Sequence, residues 1–153
     1  MSVGWFAAST LFALSVAAGC GSGVVESAPD PSQTRCESTF DTTAVRATVR
    51  FRAEIAPMLE RNGCTEAGCH GGIIASSNYV ADTHEGLMMP GEEARAMGLC
   101  AVKPGMPDSS YIVWKVEGRP EIQGARMPKG QPPLSAQDLA LLRQWVAEGA
   151  RNN

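Results

Sequence analysis

Aromatic residues are scarce in this 153-residue sequence, where Phe, Tyr and Trp together make up 6% of the chain. Aromatic rings supply much of the buried area of ordinary cores, so the side chains alone promise a small core for this length. A large buried cofactor would add the apolar bulk that they do not. Charge is modest too, at 19% Asp, Glu, Lys and Arg with a formal net charge of −3 and no basic stripe. That pattern argues against nucleic acid as a partner. His70 and His84 are the only histidines, and no Ser-His-Asp order, second metal cluster or Gly-rich phosphate loop accompanies them. The expectation is a protein that is not an enzyme. No internal repeat is visible.

Cysteine, by contrast, is present at five positions: Cys20, Cys36, Cys64, Cys69 and Cys100. An odd count in an exported protein calls for one cysteine with a separate role. The most informative stretch is Cys64-Thr65-Glu66-Ala67-Gly68-Cys69-His70. A Cys-His pair preceded by a nearby cysteine is the pattern of covalent haem attachment, although the common spacing between the cysteines is two residues and here it is four. Each thiol can add to a haem vinyl group, and the adjacent histidine then becomes the proximal ligand of the iron. A small disulfide loop and a zinc half-site are the competing readings.

The N-terminus offers the separate role. Residues 5–18 form an uncharged apolar run, too short for a comfortable transmembrane helix and suited to the core of a signal peptide. It ends in Ala17-Ala18-Gly19-Cys20, which resembles a bacterial lipobox, although no Lys or Arg precedes the run. The resemblance implies a signal peptide over residues 1–19 and lipidation of Cys20, with an ordinary secretory signal or an uncleaved anchor as alternatives. Acyl chains on Cys20 would hold the protein stably at a membrane, since two chains succeed where one is marginal. Residues 20–45, rich in Ser, Gly, Pro and Thr, would be a flexible tether with a reach of roughly 25–30 Å.

The domain itself is expected over residues 46–153. Phe51, Ile55, Met58 and Leu59 recur at helical spacing with Pro57 suited to a first turn, and Asn62-Gly63 signals the helix end. Gly71-Gly72 after His70 would let the backbone pass close to a flat ligand. Residues 73–98 are hardest to assign, apart from a possible short helix over 92–97. Pro104-Gly105-Met106-Pro107 is a turn, with Asp108 or Ser109 as the cap of a helix over 110–116. The last helix begins at Ser135, with Asp138 completing a variant capping box and Leu134 and Leu139 placed as a staple. Leu139, Leu142, Val146 and Gly149 share one face, Trp145 borders it, and the helix ends near Gly149.

Phe51-x3-Ile55-x-Pro57, Cys64-x4-Cys69-His70-Gly71, Pro104-Gly105-x-Pro107-x-x-Ser110, Arg126-Met127-Pro128 and Leu134-Ser135…Trp145-x3-Gly149-Ala150 stand in that order. This series, covering residues 51–150, resembles the planctomycete-type cytochrome c domain, a bacterial branch of the class I cytochromes c in which four residues between the cysteines are familiar. The resemblance implies an all-α, cytochrome c-like haem domain with loops wrapped around a haem c and a first and last helix that cross. Residue by residue, Cys64 and Cys69 match the thioether cysteines, His70 the proximal ligand and Met127 the distal ligand. Trp145 matches an aromatic that packs toward the haem or the first helix.

The chain's own residues leave the distal position more open. Met-Pro also occurs at Met89-Pro90 and Met106-Pro107. Met127 lies 57 positions past His70 on a loop braced by a following helix, whereas Met106 fills a tight turn. Met88, Met89, His84 and an open iron site remain alternatives to Met127. With Cys20 on lipid and Cys64 and Cys69 on haem, Cys36 and Cys100 are left, and pairing is the default in an oxidising compartment. The resulting expectation is a mono-haem electron carrier with iron bound by His70 and Met127. It would be exported, anchored to a membrane facing the periplasm or the cell surface, and would serve a redox partner protein. A haem-based small-ligand sensor with an open distal site is one alternative. A haem-free lipoprotein binding module with a Cys64–Cys69 disulfide is the other.

Overall fold

The computed structural model describes Met1, Cys36 and residues 39–153. The expected signal peptide, Cys20 and most of the tether lie outside the described residues. Helix is the only extended regular structure among the described residues, so the domain is all-α; the only β-type pairings are two isolated bridges, Ala67 with Gly71 and Cys100 with Ser110. None of these helices is long and apolar enough to cross a membrane.

The first helix is built in two parts because of Pro57. A proline has no N–H to give, and its ring collides with the carbonyl four residues back. The turn before it, Phe51–Ile55, is therefore widened into a π-helical turn, and α1 follows as Ala56–Arg61. In the widened turn Ile55 N–H donates to Arg50 C=O at 3.3 Å, and Ala56 N–H donates to Phe51 C=O. Both bonds reach back five residues, the signature of a π-turn. Phe51, Ile55, Met58 and Leu59 are all buried, as their spacing predicts. The helix stops at Asn62, whose side-chain amide donates to Met58 C=O at 2.8 Å. Gly63, at φ +70°, turns the chain there and hands it directly to Cys64.

Two short helices occupy the stretch that the sequence left largely unassigned. Helix α2, His84–Met88, is capped by Thr83, whose hydroxyl accepts the Gly86 N–H at 3.0 Å. Helix α3, Glu92–Ala96, lies within the expected short helix. Helix α4 is Tyr111–Glu117, and its start corrects the sequence reading. Neither Asp108 nor Ser109 caps it; both lie in a 3₁₀ turn, Pro107–Ser109, and the N-cap position falls to Ser110. The Ser110 hydroxyl accepts from Lys103 N–H at 2.8 Å and meets Met106 C=O at 3.0 Å, so it ties the preceding turn instead of capping. Asp108 instead takes the guanidinium groups of Arg119 (2.9 Å) and Arg143 (2.7 Å).

Helix α5, Ala136–Ala147, is capped by Ser135, which accepts Asp138 N–H at 3.0 Å. Leu134 is buried at its start and Leu139 packs on the core. The helix lies against α4 and the Phe51–Ile55 turn. Trp145, 1% exposed, brings its ring to 5.7 Å from Phe51, and His84 meets both edge-on at 6.0 and 5.1 Å. Burying the Phe51 and Trp145 rings against each other, with the half-buried His84 beside them, holds the first and last helices together. The segment before the first helix is fastened to the end of the last one as well. The Glu148 carboxylate accepts Thr48 N–H (2.7 Å) and Val49 N–H (2.8 Å), and Asn153 accepts Phe51 N–H at 2.9 Å. Cys36 and Cys100 are joined by a disulfide, with their Cα atoms 5.4 Å apart.

Candidate functional site

The 64–70 loop is shaped by its own backbone. His70 N–H donates to Cys64 C=O at 3.0 Å and Cys69 N–H to Glu66 C=O at 3.0 Å, which curls the loop so that both cysteines and the histidine return to one place. Gly71 is required for that curl. A Cβ on it would lie 1.9 Å from the Thr65 carbonyl oxygen, so only a glycine lets the chain close. Gly71 thus serves the loop's close approach to itself. Residues 76–81 brace the outer side: Ser76 N–H donates to Cys69 C=O (2.7 Å), Ser76 Oγ to Gly68 C=O (2.8 Å) and Ala81 N–H to His70 C=O (2.7 Å).

The same brace orients the histidine. His70 Nδ1 lies 3.1 Å from the Tyr79 carbonyl oxygen. A carbonyl can only accept, so Nδ1 carries the proton and Nε2 keeps its lone pair for a ligand. The Tyr79 ring stands edge-on to the imidazole at 5.3 Å, and its hydroxyl donates to Leu87 C=O at 3.0 Å. Burial, with a smaller effect of Cys64, pushes the Tyr79 phenol well above the usual tyrosine range, so it stays neutral.

Cys64 and Cys69 are both free thiols. Cys64 is half-buried, and burial, reinforced by Cys69 nearby, pushes its thiol up to about 11. Cys69 is exposed. Among the described residues no three His, Cys, Asp or Glu side chains converge as a metal-holding group.

Cys64, Cys69 and His70 form part of the wall of a cavity of about 890 Å³, and Met127 lines that same cavity. The volume lies within the ~300–1,000 Å³ of pockets that take small molecules and cofactors. Met127 is positioned through its backbone: its N–H donates to Lys115 C=O at 2.9 Å, and the Arg126 guanidinium clamps Met127 C=O (3.0 Å) and Gln131 C=O (2.7 Å).

No family model, curated protein or solved structure matches this chain.

The site therefore rests on geometry. The other distal candidates are placed elsewhere. Met88 packs on the core, Met89 is 49% exposed and His84 is at the Phe51–Trp145 crossing with its Nε2 on Ala150 C=O at 2.8 Å. None of the three lines the cavity. Trp145 does not line it either. Of the two placements open to Trp145, the structure has the one against the first helix, because its ring fills the gap beside Phe51 and its indole N–H is satisfied by Arg151 C=O at 3.1 Å. Two free thiols, an imidazole whose Nδ1 is occupied and a thioether thus line one cavity. Sequence reasoning missed three contributors. Tyr79 acts through a backbone carbonyl, which any residue could supply and no pattern reveals. Lys115 and Tyr111 line the cavity from α4, where an apolar helix suggested only core.

Proposed function

We propose that this protein is a mono-haem c-type cytochrome with the haem-wrapping cytochrome c fold, an electron carrier and not an enzyme. In this reading it is exported and tethered at a bacterial membrane surface through Cys20, facing the periplasm or the cell surface, and it exchanges electrons with a redox partner protein. The observation that carries the reading is the convergence of Cys64, Cys69, His70 and Met127 on one cavity of about 890 Å³.

Each residue has a distinct task. Cys64 and Cys69 would hold the haem through thioethers. His70 would bind iron through Nε2, with Tyr79 C=O fixing the ring and raising the basicity of the ligating nitrogen. Met127 would provide the second axial ligand, and a thioether there favours a higher potential than a second imidazole. Haem c bound in this way supplies a one-electron iron couple. Tyr79, Leu59, Ile112 and Val116 line the cavity and would exclude water from the ring.

The test is haem staining after denaturing electrophoresis of the protein expressed with a cytochrome c maturation system. Stain should persist in the wild type and vanish when Cys64 and Cys69 are both replaced by Ala. His70→Ala should abolish stable holo-protein. A wild-type chain that never retains stain, or a His70→Ala chain with full covalent haem and native helicity, refutes the assignment.

A further inference from the structure

Lys115 lies on α4 yet is only 8% exposed, and with Ser110 it makes up the buried polar set among the described residues. An ammonium is costly to bury unless it is paired and hydrogen-bonded. It has three donors to satisfy. One reaches Gln123 C=O at 2.8 Å, and the Tyr111 ring centroid lies 5.9 Å from Nζ. Among the described residues Lys115 forms no ion pair. Glu93, whose charge is felt by both Lys115 and Tyr111, accepts the Ser77 hydroxyl at 2.9 Å instead. Burial holds the Lys115 ammonium below the usual lysine range, with Glu93 opposing, the direction expected of a cation short of a counter-charge.

Its location says where the counter-charge belongs. Lys115, Tyr111 and Gly124 all line the 890 Å³ cavity, and so does Glu93, whose carboxylate acts on Lys115 through the cavity without forming an ion pair with it. The Tyr111 hydroxyl accepts Gln123 N–H at 3.1 Å, which leaves its own proton to donate. The N–H and C=O of one residue, Gln123, thus fix an ammonium and a hydroxyl beside each other. Arg61 also lines the cavity but is paired with Asp138, and Lys129 is exposed. Lys115 is therefore the buried cation of this wall.

We propose that Lys115 and Tyr111 form a carboxylate-recognising corner of the cavity, and that the carboxylate is a propionate of the haem; this rests on the haem reading above. Thioethers and axial ligands grip the vinyl side and the iron, and leave the two propionates to be met by other residues. A propionate in this corner receives a charge-assisted bond from Nζ and a second bond from the Tyr111 hydroxyl, which offsets the burial of Lys115.

The test compares two porphyrins on the full chain prepared without haem. Iron protoporphyrin IX or its dimethyl ester is added under reducing conditions at limiting concentration, and covalently attached haem is measured after denaturation. The wild type should attach the diacid in preference to the diester by about tenfold or more, the value of one charge-assisted hydrogen bond. Lys115→Met should bring that ratio close to one, Lys115→Arg should retain most of it, and Tyr111→Phe should lower it in part. A wild-type ratio near one, or the same preference in wild type and Lys115→Met, overturns the corner while leaving the haem reading intact; the second outcome is also what a lysine serving only Glu93 would give. A wild type that attaches neither porphyrin overturns both. If circular dichroism shows Lys115→Met to be unfolded, Tyr111→Phe, which keeps the cation, decides: a lowered ratio supports the corner and an unchanged ratio counts against it.

Discussion

Glu148 should control how this domain responds to acid, because its carboxylate is what fastens the chain ahead of the first helix to the end of α5. It accepts four hydrogen bonds: Thr48 N–H at 2.7 Å, Thr48 Oγ1–H at 2.5 Å, Val49 N–H at 2.8 Å and Gln144 Nε2–H at 3.0 Å. Burial pushes the carboxyl up, but the bonds from Thr48, Val49 and Gln144 outweigh it and hold it down at about 2. In the unfolded chain the same group titrates near ~4.3. Between those two values the unfolded chain binds more protons, so stability rises with pH across that window. The contribution is complete above about pH 4.5 and is lost as the pH falls to about 2. The whole shift would correspond to ~3 kcal/mol, but the carboxylate is only half-buried, and solvent screening leaves about 1 kcal/mol of it. Glu148→Gln also disturbs the bonds to Thr48 and to the buried Val49 N–H, for a total loss of about 1–2 kcal/mol at neutral pH. Urea unfolding of wild type and Glu148→Gln at about pH 7 and about pH 2.5 measures the difference directly. The gap between the two proteins should shrink by roughly 0.7 kcal/mol at the lower pH. Asp108 and Asp138 are held low as well, and burial is the opposing influence at each. At Asp108 the downward pull comes chiefly from Arg143 and Arg119; at Asp138 it comes from Asn62 and Arg61. Their shared acid sensitivity cancels in the comparison. A gap that is equal at both pH values refutes the reasoning.

Gly71→Ala should wreck the 64–70 loop, since the new methyl would fall 1.9 Å from Thr65 O; covalent haem yield should drop at least several-fold, while Gly72→Ala, with open space around the site but φ +74°, should cost about 1 kcal/mol of stability and little yield. Met127→Ala should leave haem attached but lower the reduction potential and admit added imidazole or carbon monoxide, whereas Met89→Ala should change neither; the reverse pattern in a spectral titration would place the distal ligand at residues 88–90. Cys100→Ser should remove the Cys36–Cys100 bond, whose sequence separation is 64 residues, and lower stability by about 4 kcal/mol in the chain-entropy picture. Thiol alkylation of denatured, unreduced holo-protein checks it: no reactive cysteine is expected, and two would contradict the pairing.

Much of the fold was legible because helix signals are local. The 3.6-residue spacing of Phe51, Ile55, Met58 and Leu59, the Ser135 cap and the apolar face of α5 are properties of short windows, and the structure places them as expected. The π-turn was not legible as such, although its cause, Pro57, was in view. Helix α2 was missed because five residues give too short a pattern, with Thr83 as its one usable signal. Asp108 looked like a cap because caps are judged by residue type, but two arginines from α4's end and α5 compete for it, and a long-range ion pair has no local trace.

The site divides in the same way. The sequence by itself determined the loop that carries Cys64, Cys69 and His70, because their spacing is short and chemically specific. It also determined that Met127 sits on a loop just before the last helix. Tertiary structure alone decided which of several methionines shares a cavity with that loop, since residues 57 positions apart meet only through the packing of α4 and the 124–133 loop. It also decided the role of Tyr79, which acts through a main-chain oxygen, and the burial of Lys115, whose cost becomes visible only once the surrounding wall is in place.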